Sequence, residues 1–332
     1  MIRSLKITAC AAALVALAAC GTNEGGAAPG SQKARAGIWA AGSSTVFPFA
    51  TRVAENFART SGGSAPRVES LGTGGGIQAF CAGVGPSTPD IANASRPMKQ
   101  SEFDRCVANG VSDIVEIKIG FDGIVIATAR TGNSFNFELN DLYEGLAKEV
   151  PGPNGAFVAN PAKTWNDVNK GLPNQRIQVY GPPPTSGTRD AFLELGMAPG
   201  GELVPAVAAL KSDKTRFETL TRTPGSLGVF GFSFLEQNMD TVKAETIDGV
   251  APSAETIADG TYPLARSLYI YVKKAHVGVT PGLEQFVQEF MSEGSAGRGG
   301  YLQDRGLVPL PADQLTAERA KAAAMTSMAR PN

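Results

Sequence analysis

Histidine is almost missing from this chain of 332 residues: His276 is the only one. A metal hydrolase built on several imidazoles is therefore excluded, and His276, next to Lys273 and Lys274, reads as part of a surface turn. Aromatic residues make up 7%, charged residues 18%, and the formal net charge is −1. No basic run is present and aromatics do not interleave with lysine or arginine, so nucleic acid is not an expected partner. Gly-x-Ser-x-Gly is absent, and Gly72-Thr73-Gly74-Gly75-Gly76 lacks the Lys-Ser/Thr of a nucleotide phosphate loop. Long apolar runs are lacking too. The first, Ile7 to Ala19, is too short to span a bilayer, and no later segment approaches ~18 apolar residues. Of four cysteines, Cys10 and Cys20 lie at the N-terminus; Cys81 and Cys106 lack the short spacing of a zinc site. No metal and no cofactor is expected.

What is present at the N-terminus reads as an address. Arg3 and Lys6 precede the short apolar run, which ends in Leu17-Ala18-Ala19-Cys20-Gly21. Small residues before a cysteine resemble the bacterial lipobox, with residues 1–20 as signal peptide and Cys20 as the lipidated residue. An ordinary signal peptide with a chance cysteine is the alternative. Lipidation would hold the chain stably on a membrane. Residues 21–37, rich in glycine, alanine and polar side chains, read as a flexible tether. Export implies an oxidising compartment, where Cys81 and Cys106 would form a disulfide enclosing Ala82 to Arg105; two buried thiols are the other reading.

Beyond the tether, short β-like runs alternate with helical ones, which predicts an α/β fold. Gly37–Ala41 and Arg67–Leu71 each enter a turn of small residues, and Pro89–Ser95 reads as a third strand. Val115–Ile119 and Gly123–Ala127 look like two strand segments around a break at Phe121-Asp122-Gly123. Ser267–Val272 is a further strong strand, and the two regions are candidate crossings between lobes. Leu283–Phe290 has helical apolar spacing, and Ala312–Met328 is helix-prone.

Two segments carry the chemistry. Gly42-Ser43-Ser44-Thr45-Val46-Phe47-Pro48 and Thr185-Ser186-Gly187-Thr188-Arg189-Asp190 each place glycine and hydroxyl residues just before a helix-like stretch. A helix N-terminus offers unpaired N–H groups and partial positive charge, and the hydroxyls add donors. Two such ends facing each other, with Arg189 added, would hold a tetrahedral oxyanion.

These segments, together with 72–83, 89–98, 120–127, 224–234 and 262–272, resemble in order and spacing the phosphate-binding proteins of bacterial phosphate ABC transporters. The resemblance spans roughly residues 38–310. It implies an α/β, two-lobed periplasmic-binding-protein fold, type II-like, with two crossing strands. Lobe 1 would be 38–121 plus 268–332, and lobe 2 would be 122–267. The implied activity is high-affinity binding of inorganic phosphate and its delivery to a membrane permease, by an exported, periplasmic, lipid-anchored monomer that is not an enzyme. A binder or sensor of another oxyanion, or an exported phosphoester hydrolase, is the alternative.

Carried over by position, the implied phosphate contacts are Ser44, Thr45, Val46, Gly74, Gly75 and Ser95 on one side, and Ser186, Gly187, Thr188 and Arg189 on the other. Two positions depart from the family pattern. Arg96 stands where many members have an aspartate that accepts the proton of hydrogen phosphate. Gly181-Pro182-Pro183-Pro184 stands where many have an arginine. Arg189, with Arg96, is then expected to supply the cation. The acceptor is expected to be Asp122, with Asp190 and Asp90 behind it.

Overall fold

The computed structural model describes residues 37–184, 186–197, 202–205, 207–209 and 213–331. The signal, Cys20 and most of the tether lie outside the described residues.

The first half is built of strand–helix units. Strand β1 (Trp39–Gly42) runs through a tight turn into α1 (Phe47–Ser61), β2 (Arg67–Ser70) into α2 (Gly72–Phe80), and β3 (Ile91–Ala94) towards α3 (Gln100–Ala108). Pro48 in the first turn of α1 suits a helix start, where its missing N–H has no partner to lose. Phe49, Ala50, Val53 and Ala54 form its buried stripe. β1 lies parallel between β2 and β3. Gly76 of α2 touches Gly42 so closely that a Cβ there would lie 2.2 Å from the Gly42 Cα, so only glycine lets this helix sit on the strand end. All four β3 residues are buried: Ile91 packs into the main core, and Ala92 and Ala94 into a second cluster with Ile77 and Phe80.

The sheet continues through the long β4 (Ile114–Ala129) into β5 (Val179–Gly181), β6 (Val207–Ala209), β7 (Leu227–Gly231) and β8 (Val242–Ala244), and returns by β9 (Ala265–Lys273). Strand order is β2-β1-β3-β9-β4-β7-β5-β6, with β8 also on β4. β4 pairs with β9 over its first part and with β7 over Ile124–Ala127, so it carries the chain from one half of the sheet to the other. α4 (Gly187–Gly196) follows β5, and α5 (Phe232–Glu236) follows β7. The C-terminal region adds α6 (Leu283–Phe290) and α7 (Ala312–Ala324), the latter shorter than its helix-prone sequence.

Two expectations fail here. Phe121-Asp122-Gly123 is not a break: all three residues are strand, paired with Ser267, Arg266 and Ala265. The Asp-Gly dipeptide signals a turn only where the chain is free to reverse; here both flanks are buried, the first held by β9 and the second by β7. His276 is not on the surface. It is 4% exposed, its Nδ1 lies 2.7 Å from Asp90 Oδ1, and its Nε2 accepts the Gly85 N–H. Lys273 beside it is fully buried, donating to Gly83 O and Thr88 Oγ1. Neighbouring lysines suggest solvent, but the end of β9 carries Lys273 and His276 inward to satisfy the 83–90 loop, while Lys274 donates to Ser327.

Cys81 and Cys106 form a disulfide that ties the end of α2 to α3 across 25 positions. Closing a loop of that size is worth about 3 kcal/mol in the chain-entropy estimate. A Cys81→Ala/Cys106→Ala protein is expected to lose about that much stability in urea unfolding.

Candidate anion-binding site

The ends of α1 and α4 meet. Thr45 Oγ1 donates to Gly187 O at 3.1 Å, and Ser44 Oγ donates to Asp190 Oδ2. A Cβ on Gly187 would stand 2.5 Å from Thr45 Cα and 2.6 Å from Ser44 O, so the two turns are in backbone contact. Among the described residues the Gly187 and Thr188 N–H groups donate to no protein acceptor, as expected for the first turn of a helix. The corresponding amides of α1 are partly occupied: Thr45 and Val46 N–H both reach Ser43 Oγ, at 3.2 and 3.4 Å.

Beneath this junction the crossing strands place a charged pair. Asp122 on β4 and Arg266 on β9 are register partners. Their side chains are 8% and 7% exposed, with Arg266 Nε 3.6 Å from Asp122 Oδ2. That separation is an ion pair but not a hydrogen bond. Among the described residues Asp122 Oδ2 and Arg266 Nε have no hydrogen-bond partner at all. The rest of the guanidinium bridges outward, donating to Thr45 Oγ1 and to Glu194 Oε2. Burial pushes the Asp122 carboxyl above the usual carboxylate range, and the Arg266 charge holds it back.

Ser44, Thr45, Asp122, Ser186, Gly187 and Thr188 are among the residues lining a cavity of about 340 Å³. Thus the two hydroxyl turns and the first-choice acceptor share one space. The remaining expected contacts are elsewhere. Arg96 is the largest departure: its guanidinium makes two hydrogen bonds to Glu102, at 2.9 and 2.8 Å, at the start of α3. Two adjacent carboxylate oxygens match the guanidinium fork, and this outcompetes a reach towards the cleft. Arg189 does not line the cavity; it turns back on its own approach loop, Nη1 3.4 Å from Pro182 O. Gly74 and Gly75 lie within the first turn of α2, and Ser95 is hydrogen-bonded to Thr73 Oγ1 at 2.9 Å, all outside the cavity wall. Val46 is buried behind Thr45. Of the reserve acceptors, Asp190 holds Ser44, and Asp90 is taken by Trp39 N–H, Thr280 and His276.

Arg266 is absent from the contacts expected of the sequence. It lies in Tyr262–Val272, a run whose other residues are apolar or small, and a lone arginine inside such a run is the signal that marks it.

Residues 27–294 match the PBP superfamily domain. Protein SphX of Synechococcus elongatus is 33% identical over 294 residues, which is 85% of this chain and 80% of that protein. Phosphate-binding protein PstS of Staphylococcus saprophyticus is 32% identical over 321 residues, 95% of this chain and 92% of its own. The chain belongs to the PBP superfamily, among its phosphate-binding proteins. A crystal structure of a possible phosphate binding protein from Planctomyces limnophilus superposes with a TM-score of 0.76 at 27% identity, covering 88% of this chain and 99% of that one. The family's two-lobed α/β architecture accounts for the observed sheet, whose two halves are joined by β4 and β9.

Proposed function

We propose that this member of the phosphate-binding family captures inorganic phosphate between α1 and α4 and delivers it to the permease of an ABC transporter. The ligand named for its relatives supports this reading. The observation that carries the assignment to this site is the buried Asp122–Arg266 pair, each partner with one unsatisfied atom beside two helix N-termini. Hydrogen phosphate has anionic oxygens and one acidic proton. The guanidinium, the Gly187 and Thr188 N–H groups and the Thr45 and Ser186 hydroxyls serve the oxygens; Asp122 serves the proton.

Ser44, Thr45, Ser186, Gly187, Thr188, Asp122 and Arg266 form the proposed contact set. Arg189, Arg96, Gly74, Gly75 and Ser95 act in the surrounding structure. The lobes are taken as 38–121 with 268–332, and 122–267, the boundary falling on the two crossing strands. The protein is read as exported, anchored through lipidated Cys20 and tethered by residues 21–37, and monomeric. Binding rather than hydrolysis is favoured because the single imidazole is committed to Asp90 and Gly85, leaving Ser44 and Ser186 without it as a base.

Calorimetric titration of the ligand-stripped soluble domain with phosphate and then sulfate tests this reading. Tight one-to-one phosphate binding with little sulfate response is expected; binding of neither anion would sink the assignment. An Asp122→Asn variant should narrow the discrimination between the two anions by about 5- to 150-fold, the effect of one mismatched buried polar group at ~1–3 kcal/mol. The same variant has a stability signature. A carboxyl whose folded pKa is raised penalises the folded state once it ionises. The ligand-free protein should therefore gain stability as pH falls through the raised Asp122 pKa, the gain levelling off below the unfolded-state value. The Asp122→Asn substitution should remove that slope, as read by urea unfolding at a series of pH values.

A further inference from the structure

The cavity is larger than its proposed ligand. A tetrahedral anion of five heavy atoms fills roughly the space of three or four waters, ~100 Å³ at ~30 Å³ each. The cavity holds about 340 Å³, within the range of small-molecule sites that begins near ~300 Å³. Besides the two turns and Asp122, its lining includes Phe47, Ser233, Phe234, Gln237, Asp304 and Arg305, and we refer to this part as the outer compartment. The chain builds this wall by ending β7 at Gly231 and turning directly into α5, which carries Ser233 in its first turn and Gln237 at its C-cap. Gly231 leaves open space where a Cβ would stand. Ser233 is 9% exposed and Gln237 is exposed at the mouth; among the described residues neither side chain makes a hydrogen bond and Arg305 has no ion-pair partner, so all three are free to meet a ligand. Phe47 and Phe234 line the same cavity, so it offers apolar surface as well as hydrogen-bonding groups.

We infer that this outer compartment takes the alcohol portion of a phosphate monoester, a short hydroxylated carbon chain, while the phosphoryl group occupies the anion end. The inference rests on the proposed placement of phosphate between α1 and α4. A monoester presents three terminal oxygens to the helix ends and Arg266 and directs its bridging oxygen outward, where the carbon chain follows. Carbons lie against Phe47 and Phe234, and hydroxyls pair with Ser233 and Gln237. At neutral pH such an ester is largely a dianion without its own proton. The buried Asp122 carboxyl, favoured in its protonated form by desolvation, then supplies the shared hydrogen.

The test is a competitive calorimetric titration of the soluble domain with inorganic phosphate and with glycerol 3-phosphate. Glycerol 3-phosphate is expected to displace phosphate with an affinity within about a hundredfold of it. A Ser233→Ala/Gln237→Ala variant should lose about tenfold for the ester, the sum of two modest hydrogen bonds, and change phosphate affinity less than twofold. No displacement at millimolar ester, or an equal loss for both ligands in the variant, would overturn the inference and leave the phosphate reading standing. Ester binding without phosphate binding would reject inorganic phosphate as the ligand and support the compartment; binding of neither would end both.

Discussion

Gly187→Ala is expected to weaken phosphate binding about a hundredfold while leaving the unfolding transition within about 0.5 kcal/mol of the parent. The added Cβ would lie 2.5 Å from Thr45 Cα, 2.6 Å from Ser44 O and 2.7 Å from Thr45 N. All three are backbone atoms, so no side chain can swing aside. Gly187 sits at the first position of α4, where alanine is well tolerated, so the helix itself has no reason to suffer. Relief comes instead from separating α1 and α4, which belong to opposite halves of the sheet. A ligand that contacts both turns binds the closed arrangement, and its apparent affinity falls with the population of that arrangement. Lowering the closed fraction to about one per cent corresponds to the hundredfold loss. Calorimetry gives the affinity, and small-angle scattering should show that phosphate no longer compacts the variant. Unchanged affinity would mean that the two turns do not meet around the ligand.

The second large effect is expected at Arg266. Arg266→Ala removes the cation of the site and should cost at least about a hundredfold in phosphate affinity, since hydrogen bonds to charged groups contribute ~1.5–3 kcal/mol each. It also leaves Asp122 buried beside an empty space. Breaking a buried pair by deleting one partner typically destabilises by ~3–5 kcal/mol, so a drop of a few kcal/mol in urea unfolding is expected. Combining Arg266→Ala with Asp122→Asn separates these two consequences. The double variant should recover most of the stability, because the uncompensated charge is gone, and none of the affinity. Arg189→Ala serves as the control: its guanidinium faces Pro182 O, so it should bind phosphate within about threefold of the parent. An Arg189→Ala loss exceeding that of Arg266→Ala would reverse the roles assigned to the two arginines.

The contrast between these arginines shows what sequence order conveys and what it hides. Arg189 adjoins a motif, and proximity along the chain makes it the natural cation. Whether a side chain reaches a ligand depends on the helix face it occupies, and on α4 that face turns Arg189 back to the proline loop. Arg96 adjoins Ala94-Ser95 in the same way, yet Glu102, six residues on, offers a bidentate partner at short range. A local ion pair needs no lobe closure to form, so it holds the guanidinium in place.

Local pattern is enough for the features that local physics controls. Hydroxyl and glycine residues ahead of an apolar-periodic stretch specify helix starts, and both anion turns are visible for that reason. The alternating Val115–Ile119 and the mostly apolar Ser267–Val272 specify strands, and they do pair in the crossing of β4 and β9. Long-range packing sets the remainder. Only strand register brings Asp122 opposite Arg266 across more than a hundred residues and removes both from water, which gives that pair its chemistry. Only the same pairing turns Phe121-Asp122-Gly123 from an apparent turn into continuous strand, and the packing at the end of β9 buries His276 and Lys273. The order of residues dictates an α/β chain with two hydroxyl-lined helix starts; which charged groups face the cavity follows from sheet pairing, because register and burial belong to the assembled sheet.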